Sequence, residues 1–195
     1  MHKFFISIHN LNIFLNEFGT YNAILIALGI AMIYLIFILI KNGKAAVKPK
    51  KVLSLWFLSF NLAFIFQITL IGRIGRHYDG WSVINGDWNI FENPNIISSP
   101  QTRNIALFLF LMPSVILLIK CFKNKALSVK SILISGSAIP FSISLFIELC
   151  QGIFSIGTFQ FSDLFYNTLG GITGAGFYII FEKLYKKIRA KSVHN

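Results

Sequence analysis

The sequence predicts an all-α integral membrane protein with about five transmembrane helices, its N-terminus outside and its C-terminus cytoplasmic. Three observations predict it. Only 13% of the 195 residues are charged, where a soluble domain carries about a quarter. Hydrophobic residues make up 55%, with a mean hydropathy of +0.68, and they gather into five runs long enough to cross a bilayer. The Lys and Arg residues cluster between and after these runs. A disordered chain, a disulfide scaffold and an ordinary cytosolic enzyme are excluded on composition alone.

Residues 1–20 read as an interfacial amphipathic segment, because Phe4, Ile8, Leu11, Leu15 and Phe18 recur at helical spacing, with a mobile end as the alternative. Asn10, Asn12 and Asn16 interrupt the apolar run and no small-residue cleavage site precedes span one, so it is not an obvious secretory signal. Residues 21–72 hold two spans, Tyr21–Ile40 and Val52–Gly72. Residues 73–103 form an extracytoplasmic loop whose Tyr78, Trp81 and Trp88 favour the headgroup region. Residues 104–181 hold three more spans, Asn104–Ile119, Ser131–Gln151 and Leu164–Phe181. The first of these is short, about 24 Å, and Arg103 and Lys120 at its ends snorkel to make up the difference. Pro113 and Pro140 should kink spans three and four. Residues 182–195 are a basic cytoplasmic tail.

The net charge of +11 is a topology signal and excludes nucleic acid as the partner. Lys41, Lys44, Lys48, Lys50 and Lys51 separate spans one and two, and Lys120, Lys123, Lys125 and Lys130 separate three and four. Lys183, Lys186, Lys187, Arg189 and Lys191 follow span five. With five spans, all three groups share one side, which the positive-inside rule makes cytoplasmic. Cys121 and Cys150 fall at opposite ends of spans. The ~30 Å between those ends far exceeds disulfide reach. The four His are scattered, so no metal site is expected. No phosphate-binding loop and no cofactor motif occurs, and no intramembrane His accompanies a Ser as a hydrolytic base.

Ionisable side chains inside spans are costly and tend to be functional. Glu148 lies about one turn inside the outer end of span four, and Asp163 stands at the outer start of span five. Gln151 shares a helix face with Glu148, extended by Ser144 and Ser137, while Asn167 shares a face with Asp163. The short turn between the helices should bring Glu148, Gln151, Asp163 and Asn167 together as an outward-opening polar pocket. Arg73, Arg76 and Arg103 on the same side would complete a ligand-binding set, pairing with the acids or holding a lipid phosphate. The same polar residues would serve equally as hydrogen-bonding glue between helices, Asp163 as an N-cap and each Arg as an interfacial anchor. Asn61 and Gln67 in span two read as glue. Gly170 and Gly174 have the small-xxx-small spacing that lets helices approach, expected here between spans five and four.

Glu148-Leu149-Cys150-Gln151, then Asp163 and Asn167-Thr168-Leu169-Gly170-Gly171, resemble the VanZ-like family, whose hallmark is Glu-x-x-Gln, a turn, and Asp-x-x-x-Asn-Thr-x-Gly. Arg103-Asn104-Ile105-Ala106-Leu107-Phe108 resembles the Asn-led helix of that family. The likeness runs from about Asn89 to Ile180, making 104–181 a VanZ-like three-helix region, and it leaves the first two spans unmatched. The chain departs from the pattern at Gly157–Ser162, which lacks a basic and an acidic residue, and at Asn89–Pro94, which only approximates an Asn-Leu-x-Pro-Phe turn. The resemblance implies a multi-pass protein of the bacterial cell membrane. It also implies a role in lowering susceptibility to glycopeptide or lipopeptide antibiotics such as teicoplanin.

Two readings of function follow. In the first, the pocket is a non-catalytic module that binds a membrane lipid or a lipid-linked envelope precursor and alters the cell surface. In the second, the protein is an enzyme on such a lipid, with Glu148 as general acid or base and Asp163 orienting the substrate. No nucleophile stands out, which favours the module. The glycine face also admits a helix partner or a homo-oligomer.

Overall fold

The structure, a computed structural model, describes residues 19–42, 48–74, 78, 100–123 and 127–192. Among them there is no strand. The helices are α1 (Gly19–Asn42), α2 (Pro49–Thr69), α3 (Pro100–Leu109), α4 (Leu111–Lys123), α5 (Val129–Ile153) and α6 (Phe161–Ser192). A 3-10 turn, Ile71–Arg73, follows α2. Five stretches are long and apolar enough to cross a membrane: Asn22–Lys41, Pro49–Arg73, Gln101–Lys123, Val129–Ile153 and Phe161–Ser192. The expected N-terminal amphipathic segment, up to residue 18, lies outside the described residues, as do Arg76 and nearly all of the loop carrying Trp81 and Trp88.

Each expected span is present, but their ends move outward. The third was expected to be short; it has 23 residues, about 35 Å, long enough to cross without snorkelling ends. Helical pairing continues through Gln101, Thr102 and Arg103, because backbone groups near lipid must pair internally whatever side chain they carry. Span five runs on to Ser192, so the basic tail is helical to that point.

Local chemistry sets the helix ends. Pro49 opens α2 where no N–H is required of it. Ser128 caps α5, its hydroxyl accepting the Ser131 N–H at 3.1 Å. At the other end of α5, Ile156 N–H donates to Gln151 O and Ser155 N–H to Gly152 O. This places Ser155 in the left-handed region, φ 52°, at the position where glycine usually closes such a cap. Of the two in-span prolines, Pro113 accompanies the break at Phe110 between α3 and α4, whereas Pro140 sits in an unbroken α5.

α6 is the central helix, gripped by α3 on one side and α5 on the other. Gly170 lies against the backbone of Ile105, where a Cβ would come 2.5 Å from the carbonyl oxygen, and Gly174 lies against the carbonyl of Leu109. Gly170 and Gly174 therefore face span three, which corrects the expectation that they pack on span four. The adjoining residues make that contact: Gly171 meets Pro140, and Ala175 meets Gly136. One residue turns a helix by about 100°, so consecutive glycines serve different neighbours. Two apolar clusters fill the remaining interior, Ile65, Phe108, Leu111 and Ile147 toward α2, and Met112, Ile116, Ile132 and Ala175 toward the lysine-rich end.

α1 is fastened to α2 through buried Ala23, Ala27 and Ala31, one per helical turn, and exposes Leu25, Ile33, Phe37 and Ile40. At the lysine-rich end, Lys120 Nζ pairs with Glu182 Oε1 at 2.7 Å and also lies over the Tyr178 ring. Lys186 adds a second contact to Glu182 at 3.0 Å, and Lys51 lies over Phe122. Asn61 bonds the Phe57 carbonyl of its own helix, so it is not interhelical glue by that amide. Cys121 and Cys150 are both free, as their separation requires.

A buried polar cluster at the end opposite the lysines

Four elements bring polar side chains together where α2, α3, α5 and α6 end. α5 contributes Ser144, Glu148 and Gln151, one helical face of which is almost wholly buried; Glu148 and Gln151 are each 1% exposed. α6 contributes Asp163 in its first turn, where a carboxylate suits the helix dipole, and Asn167 one turn further. The 3-10 turn after α2 contributes Arg73, and α3 contributes Asn104.

The hydrogen bonds join these elements in pairs. Arg73 Nη1 donates to Gln151 Oε1 at 3.0 Å, and Gln151 Nε2 donates to the Thr69 carbonyl at 3.0 Å, tying α5 to the end of α2. Asn104 Nδ2 donates to Asp163 Oδ1 at 2.6 Å, tying α3 to α6. Asn167 Nδ2 donates to Ser144 Oγ at 2.8 Å, tying α6 to α5. The backbone N–H of Gln160, last residue of the turn before α6, donates to Glu148 Oε2 at 2.8 Å. Glu148 lies within the electrostatic reach of both Asp163 and Arg73. Gly157 in the same turn sits so close to Gln151 and Arg73 that a Cβ would come 2.7 Å from Gln151 Oε1.

The expected quartet of Glu148, Gln151, Asp163 and Asn167 is thus assembled at one end of the bundle, with Arg73 beside it. Among the described residues it is a closed, hydrogen-bonded cluster. Arg103 is exposed; its neighbour Asn104 is the α3 residue that reaches in. Ser137 bonds its own helix carbonyls and stays outside. Gln160 and Thr69 take part through their backbones, which no side-chain pattern announces.

Among the described residues, five membrane-length helical stretches, four of which build a carboxylate-bearing polar cluster at one end, define a multi-pass membrane protein. The chain belongs to the VanZ/LLP1 family, whose model matches residues 24–182. The match takes in α1 and α2, so the likeness read from motifs is extended across the first two spans. No curated protein and no solved structure matches the chain.

Proposed function

We propose that the protein lies in the bacterial cytoplasmic membrane with its lysine-rich end inside and the polar cluster facing out. There the cluster recognises the headgroup of a membrane lipid or lipid-linked envelope precursor. By holding or masking that headgroup, it lowers susceptibility to glycopeptide and lipopeptide antibiotics such as teicoplanin. The observation that carries this reading is the pair of carboxylates at one end of the bundle, Glu148 buried and Asp163 partly buried. Neutral amides join helices at far lower desolvation cost, so a carboxylate as buried as Glu148 favours a function over mere adhesion. Membership of the VanZ/LLP1 family supports the same direction.

The test is antibiotic susceptibility of a sensitive Gram-positive host that expresses the chain, Glu148→Gln or Asp163→Asn at matched membrane levels. Protection by the parent that both variants lose is the expected result. No protection by the parent would remove the antibiotic role.

A further inference from the structure

We propose that the seam between the end of α2 and the end of α5 holds one phospholipid with a primary-amine headgroup. Its acyl chain lies in the adjoining groove, its phosphate at Arg73 and its ammonium toward Glu148. The inference rests on reading the cluster as a headgroup site and adds the class of headgroup.

Two neighbouring surfaces supply the chemistry. An apolar groove of about 540 Å³ runs along the seam, lined among others by Phe66, Leu70, Ile74, Phe146, Cys150 and Phe154, and its size falls within the range of small-molecule sites. The same chain segments turn their polar residues the other way. Thr69 and Arg73 alternate with Leu70 and Ile74, and Gln151 follows Cys150, so the Arg73–Gln151–Thr69 bonds lie one residue along the chain from the groove lining. A lipid in the groove brings its phosphate to Arg73, whose planar donors suit phosphate oxygens.

Charge and hydrogen-bond demand then select the amine. Glu148 accepts the Gln160 N–H, and the Arg73 Nη1 in the same cluster is directed to a neutral amide. Asn167 is 4% exposed and its Oδ1 has no hydrogen-bond partner among the described residues. Its other amide atom is fixed on Ser144, one turn from Glu148. A carboxylate oxygen and an orphaned carbonyl are both acceptors, and a primary ammonium brings three N–H donors and a positive charge. A quaternary ammonium brings no donor, and a glycerol headgroup brings no positive charge. The ammonium takes the place of the Gln160 N–H on Glu148, so the turn from Phe154 to Gln160 moves aside as the headgroup enters.

The test uses the full-length protein in mixed micelles with equal amounts of phosphatidylethanolamine, phosphatidylcholine and phosphatidylglycerol, the retained lipids being counted by mass spectrometry. We expect phosphatidylethanolamine to be enriched about tenfold over the other two, and Glu148→Gln to abolish the enrichment. Cys150→Trp, which fills the groove without touching the cluster, should abolish it as well, and Asn167→Leu should reduce it severalfold. Elution and melting profiles check folding; should Glu148→Gln not fold, the other two variants carry the test. Enrichment of phosphatidylglycerol that depends on Arg73 would overturn the amine and leave the headgroup site standing. Retention of no lipid above its share of the micelle would overturn both, whatever the susceptibility assay shows.

Discussion

The carbonyl oxygen of Leu109 lies against Gly174, in space that a Cβ would need. Proline at position 113 has no N–H to give that carbonyl, and the glycine lets the α6 backbone close over it. Gly174→Ala should therefore push α3 and α6 apart and cost about 1–3 kcal/mol, read as a lower Tm in detergent. Gly176→Ala, where nothing lies within 4 Å, should leave Tm unchanged or raise it. Equal losses in the two variants would contradict the contact.

Ser155 closes the α5 cap at φ 52°, where a side chain costs about 1 kcal/mol and glycine costs none. Ser155→Gly should raise stability by about that amount, and Ser155→Val, branched at Cβ, should lower it. Thermal melts of the three proteins decide the matter.

Adjacent residues on α3 should behave differently. Asn104 donates to Asp163, and losing a hydrogen bond to a charged group costs about 1.5–3 kcal/mol. Arg103 is exposed, and its replacement by Gln should stay within ~0.5 kcal/mol. If Arg103→Gln proves the more damaging of the two, the exposed guanidinium has a partner that the bond to Asp163 does not explain.

Lys120 and Glu182 are paired at 2.7 Å with partly exposed side chains. A double-mutant cycle with Lys120→Met and Glu182→Gln should give a coupling of at most about 1 kcal/mol. That coupling should shrink as salt is raised. A coupling that ignores salt would mean a contact shielded from water.

Orientation has its own readout. A fluorescent protein fused after Asn195 should fluoresce, and a secreted phosphatase at the same place should be inactive, because the lysine-rich end is expected to stay inside. The opposite pattern would turn the cluster toward the cytoplasm and undo the proposed site.

Five spans are legible in the sequence because lipid and helix interior both demand apolar side chains, so each run sums to one signal. The convergence of Glu148, Gln151, Asp163 and Asn167 is legible too, since helical spacing fixes faces and a short turn fixes nearness. What each face meets is another matter. Gly170 and Gly174 point at α3 and Gly171 at α5, a difference set by helix neighbours that spacing does not encode. Asn104 carries a faint signal, a lone amide near the start of an apolar run. The Gln160 N–H and the Thr69 carbonyl carry none, because every residue but proline has the same backbone donor and acceptor.

α6 has 32 residues, about 48 Å of unbroken helix against a hydrocarbon core of ~30 Å. Asp163 stands in its first turn and Arg189 in its last, with the tight glycine contacts at Gly170 and Gly174 between them. A stiff rod pinned there is a lever with unequal arms. The arm toward Arg189 is on the order of twice the one toward Asp163. A tilt of the carboxylate end about those contacts would be felt reversed at the basic end, where Lys120 and Lys186 hold Glu182.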